Sequence, residues 1–251
     1  MPDDPITSRN SEALSAKAAS DGALPQAKTS TSEDVAAFVA RARALSPHAP
    51  GAKGRLIFAL DATMSRQPTW DMARALQADM FREAAALGSL DIRLVYYRGS
   101  NECRATGWIS DSAKLATLMS KIDCRDGDTQ IGRVLTDARR EAVASGVRAV
   151  VFVGDAIEEK VDALCGRAGE LGMLKVPVFV FQEGRDAAAE QAFREIARLT
   201  GGAWCRFDPG AAAQLRELLR AAAAYAAGGR EALLQLAKTA SGAAQLIGQM
   251  K

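Results

Sequence analysis

The fold of this chain is indicated by residues 55–65, which read Arg55-Leu56-Ile57-Phe58-Ala59-Leu60-Asp61-Ala62-Thr63-Met64-Ser65. An apolar run ends on a carboxylate, and two hydroxyl residues follow at spacings of two. Only Arg55 is charged before Asp61, so the run predicts a strand buried on both faces, as in a parallel sheet. Open α/β sheets place their ligand sites at the carboxyl ends of the strands. We therefore expect Asp61, Thr63 and Ser65 to lie together at that edge.

Strands and helices alternate along the rest of this region. Further strands are predicted at about 91–97, 103–108, 147–153, 176–181 and 203–207, the second of these being a short edge strand. Helices are predicted at about 69–87, 111–122, 130–145, 158–172, 186–199 and 210–226. The alternation predicts an α/β protein with a doubly wound, mostly parallel sheet flanked by helices, which is a Rossmann-like arrangement.

The two ends of the chain differ from this central region. Residues 1–30 are rich in Ser, Ala, Asp, Pro and Thr without apolar periodicity, which predicts a disordered segment. Residues 31–50 predict a short helix followed by a linker. Beyond the domain, residues 227–251 predict a C-terminal helical tail, which either docks onto the domain or binds a partner.

Composition and charge exclude several functional classes. Lys and Arg number 32 against 30 Asp and Glu, and they are scattered, so neither nucleic acid nor a membrane surface is an expected partner. We expect a cytoplasmic protein, because the start resembles no secretory signal and no apolar run approaches the roughly 20 residues of a membrane helix. The cysteines predict reduced thiols, although pairing of Cys103 with Cys124 stays open. The single histidine, His48, lies in a proline-flanked linker, which is a poor place for a catalytic base.

Two further residues could supply oxygen ligands, one just before a predicted helix and the other just after a predicted strand. Thr129 lies in the loop before the helix at about 130, and Asp155 follows an apolar strand that ends at Gly154. The topology brings these residues to the same edge as the first three. Hard oxygen ligands suit Mg²⁺, or another hard divalent cation such as Mn²⁺ or Ca²⁺. The candidate metal ligands are Asp61, Thr63, Ser65, Thr129 and Asp155.

In order and strand context, these residues resemble the metal-ion-dependent adhesion site (MIDAS) of von Willebrand factor type A (VWA) domains. That family's motif is Asp-x-Ser/Thr-x-Ser, then a distant Thr, then a distant Asp at a strand end. The resemblance covers about residues 54–226, which we expect to form one VWA-like domain. It implies that Thr63, Ser65 and Thr129 bind the ion through their hydroxyls, directly or through water, and that Asp61 and Asp155 act likewise through their carboxylates.

The resemblance implies a non-enzymatic adaptor that binds an acidic group of a protein partner through a divalent ion. In cytosolic relatives, such domains sometimes work with chaperone-like ATPases. One alternative is a metal-dependent hydrolase or phosphatase with Asp61 as nucleophile, although position 63 is Thr, where the phosphatase pattern has a second aspartate, and the chain has no phosphate-binding Gly-rich loop. The other alternative is a structural subunit whose metal site is silent.

Several charged residues next to the candidate ligands allow more than one interpretation. Arg66 is either a solvated loop residue or a cation that weakens metal binding or engages the anionic ligand. Glu158 and Glu159 suit the first turn of the helix that follows, or they add negative potential near the ion. Tyr96 and Tyr97 alternate along a predicted strand, so we expect different helix layers to cover them.

Overall fold

A single mixed sheet organises the protein. The computed structural model describes residues 54–70, 90–207 and 219–227, together with the single positions Glu217 and Gln235. The strands are β1 (Gly54–Asp61), β2 (Leu90–Arg98), β3 (Glu102–Ala105), β4 (Ala149–Gly154), β5 (Val178–Glu183) and β6 (Ala203–Phe207). Their order is β3-β2-β1-β4-β5-β6. All neighbours are parallel except β2 and β3, which confirms the predicted mostly parallel α/β sheet.

Helices connect the strands. A 3-10 helix (Met64–Thr69) follows β1, and the α-helices are α1 (Ser112–Ser120), α2 (Ile131–Ser145), α3 (Val161–Met173) and α4 (Ala187–Thr200). Residues 219–227 are also helical. Asp111 caps α1 by accepting bonds from two backbone N–H groups, and Asp186 caps α4 in the same way with one. Gly146 and Gly201 end α2 and α4 with φ of 69° and 73°, a conformation that glycine adopts without strain.

The helices cover both faces of the sheet. In β1, Leu56, Phe58 and Leu60 pack into one buried cluster with α1 and the helical residues 219–227. The intervening Ile57 and Ala59 belong to a second cluster, with α2, α3 and α4. This alternation is the period of two of a strand, and it explains why nearly the whole of β1 is apolar.

Residues from neighbouring positions fall on opposite faces, as the strand period requires. Tyr96 packs against the first cluster and Tyr97 lies inside the second, which confirms the prediction for this pair. Cys124 is buried in the first cluster, whereas Cys103 packs against the second. The sheet therefore separates these two thiols, and both are free.

The chain adds strands to the sheet in opposite directions from its centre, with β2 and β3 on one side of β1 and β4 to β6 on the other. β1 pairs with β2 on one side and with β4 on the other, both in parallel. In an open α/β sheet, the loops after two such strands diverge and leave a crevice at the carboxyl edge. Asp61 ends β1 and Asp155 directly follows β4, so both predicted carboxylate ligands lie at this crevice.

Some predicted boundaries differ from the structure. The predicted edge strand at 103–108 ends at Ala105, and α3 begins at Val161 rather than at about 158. The predicted segments 1–30 and 31–50 lie outside the described residues, as do almost all of the helix at 69–87 and all of the 227–251 tail except Ala227 and Gln235. Within the described residues, no helix combines the length and apolar character needed to cross a membrane.

Candidate metal centre

Asp61 is held rigidly at the end of β1. It is completely buried. Its Oδ1 accepts hydrogen bonds from the backbone N–H of Thr63, at 2.8 Å, and from the Thr63 hydroxyl, at 2.6 Å. Its Oδ2 accepts a hydrogen bond of 2.8 Å from the phenol of Tyr97. Three donors thus fix the orientation of the carboxylate and offset part of the cost of burying it.

The two hydroxyls after Asp61 lie next to each other. Thr63 Oγ1 is 3.0 Å from Ser65 Oγ, and Thr63 is buried whereas Ser65 is exposed. Ala62, which joins these residues to β1, forms backbone hydrogen bonds in both directions. Ala62 N–H donates to the Tyr97 carbonyl at 2.9 Å, and Arg125 N–H donates to the Ala62 carbonyl at 3.0 Å. The hydroxyl pair therefore has a defined position that opens towards solvent.

A reciprocal pair of hydrogen bonds positions Thr129. Its backbone N–H donates to Glu158 Oε2 at 2.7 Å, and its hydroxyl oxygen accepts from the Glu158 backbone N–H at 3.0 Å. The preceding loop approaches the β2–β3 turn closely, because a Cβ at Gly127 would lie 2.1 Å from the carbonyl carbon of Gly99. Only glycine at 127 allows this approach. The loop after β4 thus fixes the loop that carries Thr129.

Glu159 caps the helix that begins after Thr129. Its Oε1 accepts from Gly132 N–H at 2.9 Å, and its Oε2 accepts from Ile131 N–H. Gln130, at the N-cap position of α2, supplies no side-chain cap of its own. Burial raises the pKa of Glu159, whereas these two bonds lower it. The prediction that Glu158 and Glu159 lie in the first turn of α3 was wrong, because α3 begins at Val161, and both carboxylates instead accept from backbone N–H groups in the preceding loop and helix.

Asp155 presents an unsatisfied oxygen at the same edge. Its Oδ1 is buried and has no hydrogen-bond partner among the described residues. The preceding Gly154 leaves room for Asp61, since a Cβ at 154 would lie 2.7 Å from the Phe152 ring and 3.5 Å from the Asp61 Cβ. A buried carboxylate oxygen without a donor is unusual in a folded protein, and such an oxygen is suited to contact a cation.

The two carboxylates influence each other electrostatically. The pKa of Asp61 is raised to about 6, chiefly because burial penalises the charged form. The Thr63 hydrogen bonds oppose this rise, and the charge of Asp155 adds to it. The pKa of Tyr97 is raised well above its usual value by burial and by Asp61, so its phenol remains a donor. A bound cation would favour the ionised form of both carboxylates.

Arg66 does not lie in solvent. Its side chain is completely buried, and its Nε is 2.7 Å from Oε2 of Glu183, at the end of β5. Its guanidinium carbon also lies 6.0 Å from the centre of the Trp70 ring. The interpretation of Arg66 as a solvated loop residue was therefore wrong. The ion pair with Glu183 compensates its charge, which reduces its effect on the nearby carboxylates.

The structure brings the predicted site residues to one edge in three segments. The first three are joined by hydrogen bonds, Asp155 interacts with Asp61, and Thr129 bonds to the residue three positions after Asp155. Among the described residues, no group of three or more His, Cys, Asp and Glu side chains is placed to hold a metal. A metal here would need the hydroxyls, and a set of two carboxylates and three hydroxyls fits a hard divalent ion.

The contacts of two supporting residues were not predicted from the sequence. Tyr97 pairs in register with Asp61 across β1 and β2, and Glu158 orients Thr129. The register of two strands cannot be read from either strand alone. The position of Glu158 soon after Asp155 did indicate that its carboxylate could reach a neighbouring loop. It did not indicate that the partner would be Thr129.

No protein-family model matches the chain, and no curated protein sequence matches it. Solved structures do match. A von Willebrand factor type A protein from Catenulispora acidiphila superposes with a TM-score of 0.57 and 19% identity, over 69% of this chain and 43% of that one. The SpRpn10 VWA domain superposes with a TM-score of 0.52 and 12% identity, over 63% of this chain and 89% of that one. The chain has the von Willebrand factor type A fold.

A third VWA-like match carries a metal. Proximal thread matrix protein 1 from the mussel byssus, in a structure with a zinc-occupied MIDAS motif, superposes with a TM-score of 0.57 and 16% identity. The match covers 68% of this chain and 46% of the mussel chain. The chain thus spans less than half of the Catenulispora and mussel proteins, and at these identities the similarity establishes the VWA fold alone.

Proposed function

We propose that this protein is a non-enzymatic interaction module that binds an acidic group of a protein partner through a divalent ion. The ion would be held by Asp61, Thr63, Ser65, Thr129 and Asp155. The observation that carries the proposal is the buried Oδ1 of Asp155, which lacks a hydrogen-bond donor beside a second buried carboxylate. Leaving such an oxygen unsatisfied costs about 1–3 kcal/mol, and a cation would remove that cost.

The donor set favours Mg²⁺, with Mn²⁺ or Ca²⁺ as alternatives. Hydroxyl oxygens carry two lone pairs each, and the Thr129 hydroxyl accepts only one hydrogen bond within the described residues. Three neutral hydroxyls and two carboxylates leave a bound Mg²⁺ with places for water or a ligand. When bound, the ion supplies a centre of positive charge that attracts a carboxylate from outside the protein. Ser65, which is exposed, lies on the side from which that carboxylate would approach.

The geometry around Asp61 supports binding rather than hydrolysis. A nucleophilic aspartate directs one oxygen at its substrate. Here both oxygens of Asp61 accept hydrogen bonds, and the residue is completely buried. The carboxylate is therefore suited to orient Thr63 and to act on the proposed ion through water, rather than to attack a substrate. As the resemblance implies, we propose a cytoplasmic adaptor whose partner is a protein offering a carboxylate, for example within an assembly that contains a chaperone-like ATPase.

Metal binding is tested by titrating Mg²⁺ into the metal-free protein and following heat and thermal unfolding. We expect Mg²⁺ to bind and to stabilise the wild type, and we expect Asp155→Ala to abolish both effects. Because this substitution removes an unsatisfied oxygen, the metal-free variant should be at least as stable as the metal-free wild type. No Mg²⁺ response in the wild type would favour the alternative of a structural subunit with a silent site.

Partner binding is tested by a pulldown with the full chain, with chelator and after Mg²⁺ is restored. We expect a partner that is retained with Mg²⁺, released by the chelator and not retained by Asp155→Ala. Ser120→Ala, an exposed serine on α1, serves as the control and should behave as the wild type. Turnover of a generic phosphoester that is abolished by Asp61→Ala would overturn the proposal in favour of a hydrolase.

A further inference from the structure

An arginine-rich cleft lies beside the metal centre. It has a volume of about 280 Å³ and is formed by α2, by the edge of the sheet at β2 and β3, and by one residue of α3. Its lining residues include four arginines but only one carboxylate, that of Asp137. The lining residues that matter here are Cys103, Arg104, Arg133, Asp137, Arg140 and Arg167.

The single carboxylate does not balance these charges. Asp137 already pairs with Arg93, whose Nε and Nη2 lie 3.0 Å from its two oxygens. Asp137 also accepts a hydrogen bond from Arg140. On the opposite wall, Arg104 pairs with Glu102 at 2.7 Å. The carboxylates of Asp137 and Glu102 are therefore engaged, and so is that of Glu141, which lies 3.6 Å from both Arg93 and Arg140.

Arg133 and Arg167 carry the remaining positive charge, and Glu159 offsets part of the charge of Arg167, since both side chains lie against Gly132 and interact electrostatically. Neither arginine forms an ion pair with any described carboxylate. Arg133 Nη1 donates to two neutral side-chain oxygens, Asn101 Oδ1 at 2.6 Å and Gln130 Oε1 at 2.8 Å. Arg167 Nη1 donates to the Ala163 carbonyl at 3.3 Å. These neutral contacts hold the guanidinium groups in place without cancelling their charge, so the cleft is prepared for an anion.

The cleft is close to the metal centre. Gly132 lines it and lies three residues after Thr129, so their Cα atoms are at most about 11 Å apart. Gln130, which directly follows Thr129 and accepts from Arg133, also donates to the Gly99 carbonyl at 3.0 Å and so joins the loop of Thr129 to the β2–β3 turn. An extended peptide covers about 11 Å in three to four residues. A single short peptide segment of a partner can thus contact both the cleft and the metal centre.

We propose that the cleft binds a second acidic side chain of the same protein partner, beside the carboxylate at the metal centre. This inference rests on the proposed function and names the chemistry of its partner, which is an acidic peptide segment. The planar fork of an arginine matches a carboxylate in two parallel hydrogen bonds. A protein segment fits better than a nucleic acid, because the surplus charge is confined to one cleft on a chain whose net charge is only +2.

The test uses a fluorescein-labelled hexaglutamate peptide as the probe, with binding to the full chain followed by fluorescence anisotropy. The variant is Arg133→Gln/Arg167→Gln. The matched control is Arg139→Gln/Arg198→Gln, which removes the same charge from two exposed arginines outside the cleft that pair with Glu170 and Glu195. Each protein is measured with Mg²⁺ and with EDTA, and Asp155→Ala is measured alongside. We expect the cleft variant to weaken binding about tenfold or more in both buffers and the control to change it less than twofold.

The outcomes separate the cleft from the metal centre. Weakening by EDTA and by Asp155→Ala, with no effect of the cleft variant, would overturn the cleft and leave the metal centre in place. Weakening by the cleft variant alone supports the cleft and contradicts metal-mediated binding. Equal weakening by the control, or no binding of the peptide, would overturn the cleft. Tighter binding of a labelled single-stranded DNA oligonucleotide than of the peptide would overturn the assignment to a protein partner.

Discussion

The phenol of Tyr97 donates a hydrogen bond of 2.8 Å to Oδ2 of Asp61, and both residues are completely buried. The two residues pair in register at the ends of β2 and β1. The bond supports a carboxylate whose other donors, within the described part of the chain, both belong to Thr63. The geometry of the candidate metal centre therefore depends partly on a residue that is not among the proposed ligands.

Tyr97→Phe should lower the free energy of unfolding by about 1–3 kcal/mol, because it leaves a buried carboxylate oxygen without its donor while preserving the shape of the ring. Urea unfolding measures this change. Tyr96→Phe is the control, since Tyr96 lies on the opposite face of β2 and its phenol makes no hydrogen bond within the described residues. Equal effects of the two substitutions would contradict a specific role for the Tyr97 hydroxyl.

The metal-free protein should lose stability as the pH rises. Asp61 has a pKa of about 6 in the folded state against 3.8 as its ordinary value, so the folded protein holds a proton that the unfolded chain has already lost. This contribution is complete below about pH 4 and is lost by about pH 6, and it amounts to about 3 kcal/mol.

Urea unfolding in EDTA at pH 4.5, 5.5 and 7, for the wild type and for Asp61→Asn, measures this contribution. The variant cannot titrate at position 61, so the difference in unfolding free energy between the two proteins should change across that range. A difference that stays constant with pH would show that Asp61 ionises with an ordinary pKa.

Ser65→Ala should weaken Mg²⁺ binding about tenfold or more, because it removes a proposed ligand oxygen, and loss of a group that only supports metal ligands already costs about that much. It should change the unfolding free energy by less than about 0.5 kcal/mol, because Ser65 is exposed and, among the described residues, its hydroxyl is hydrogen-bonded only to Thr63. Isothermal titration and thermal unfolding measure the two effects, with Ser120→Ala as the control. An unchanged Mg²⁺ affinity would remove Ser65 from the site.

Glu158→Ala should expose the backbone N–H of Thr129 and lower the unfolding free energy by about 1–2 kcal/mol, because that N–H loses its acceptor. Hydrogen exchange at the Thr129 amide reports the change directly. Glu158→Gln keeps an acceptor oxygen and should restore most of the protection. Fast exchange in the wild type would contradict the reciprocal bonding described for this pair.

Glu183→Gln should lower the unfolding free energy by about 3–5 kcal/mol, because it removes the carboxylate paired with the buried Arg66. Glu170→Gln, which disrupts the exposed pair with Arg139, should cost about 0–1 kcal/mol. Chemical denaturation of the two variants compares them. Similar small losses would mean that Glu183 contributes little to compensating Arg66.

Local patterns predicted most of the fold. The strands and helices within the described residues lie within a few residues of their predicted positions, because apolar runs, caps and terminal glycines are properties of short segments. The start of α3 was predicted too early because it depends on contacts between distant segments. Glu159 accepts from backbone N–H groups 27 and 28 residues earlier in the chain, and no local pattern contains that contact.

The run at 55–65 by itself determined where the candidate site lies, because an apolar strand that ends on Asp61 also determines which edge of the sheet the following hydroxyls occupy. Thr129 and Asp155 could be assigned to that edge from their positions after and between predicted elements. Only the tertiary structure decided how the site is supported. Tyr97, Glu158 and the Arg66–Glu183 pair act through contacts between segments distant in the sequence, and these depend on strand register and packing.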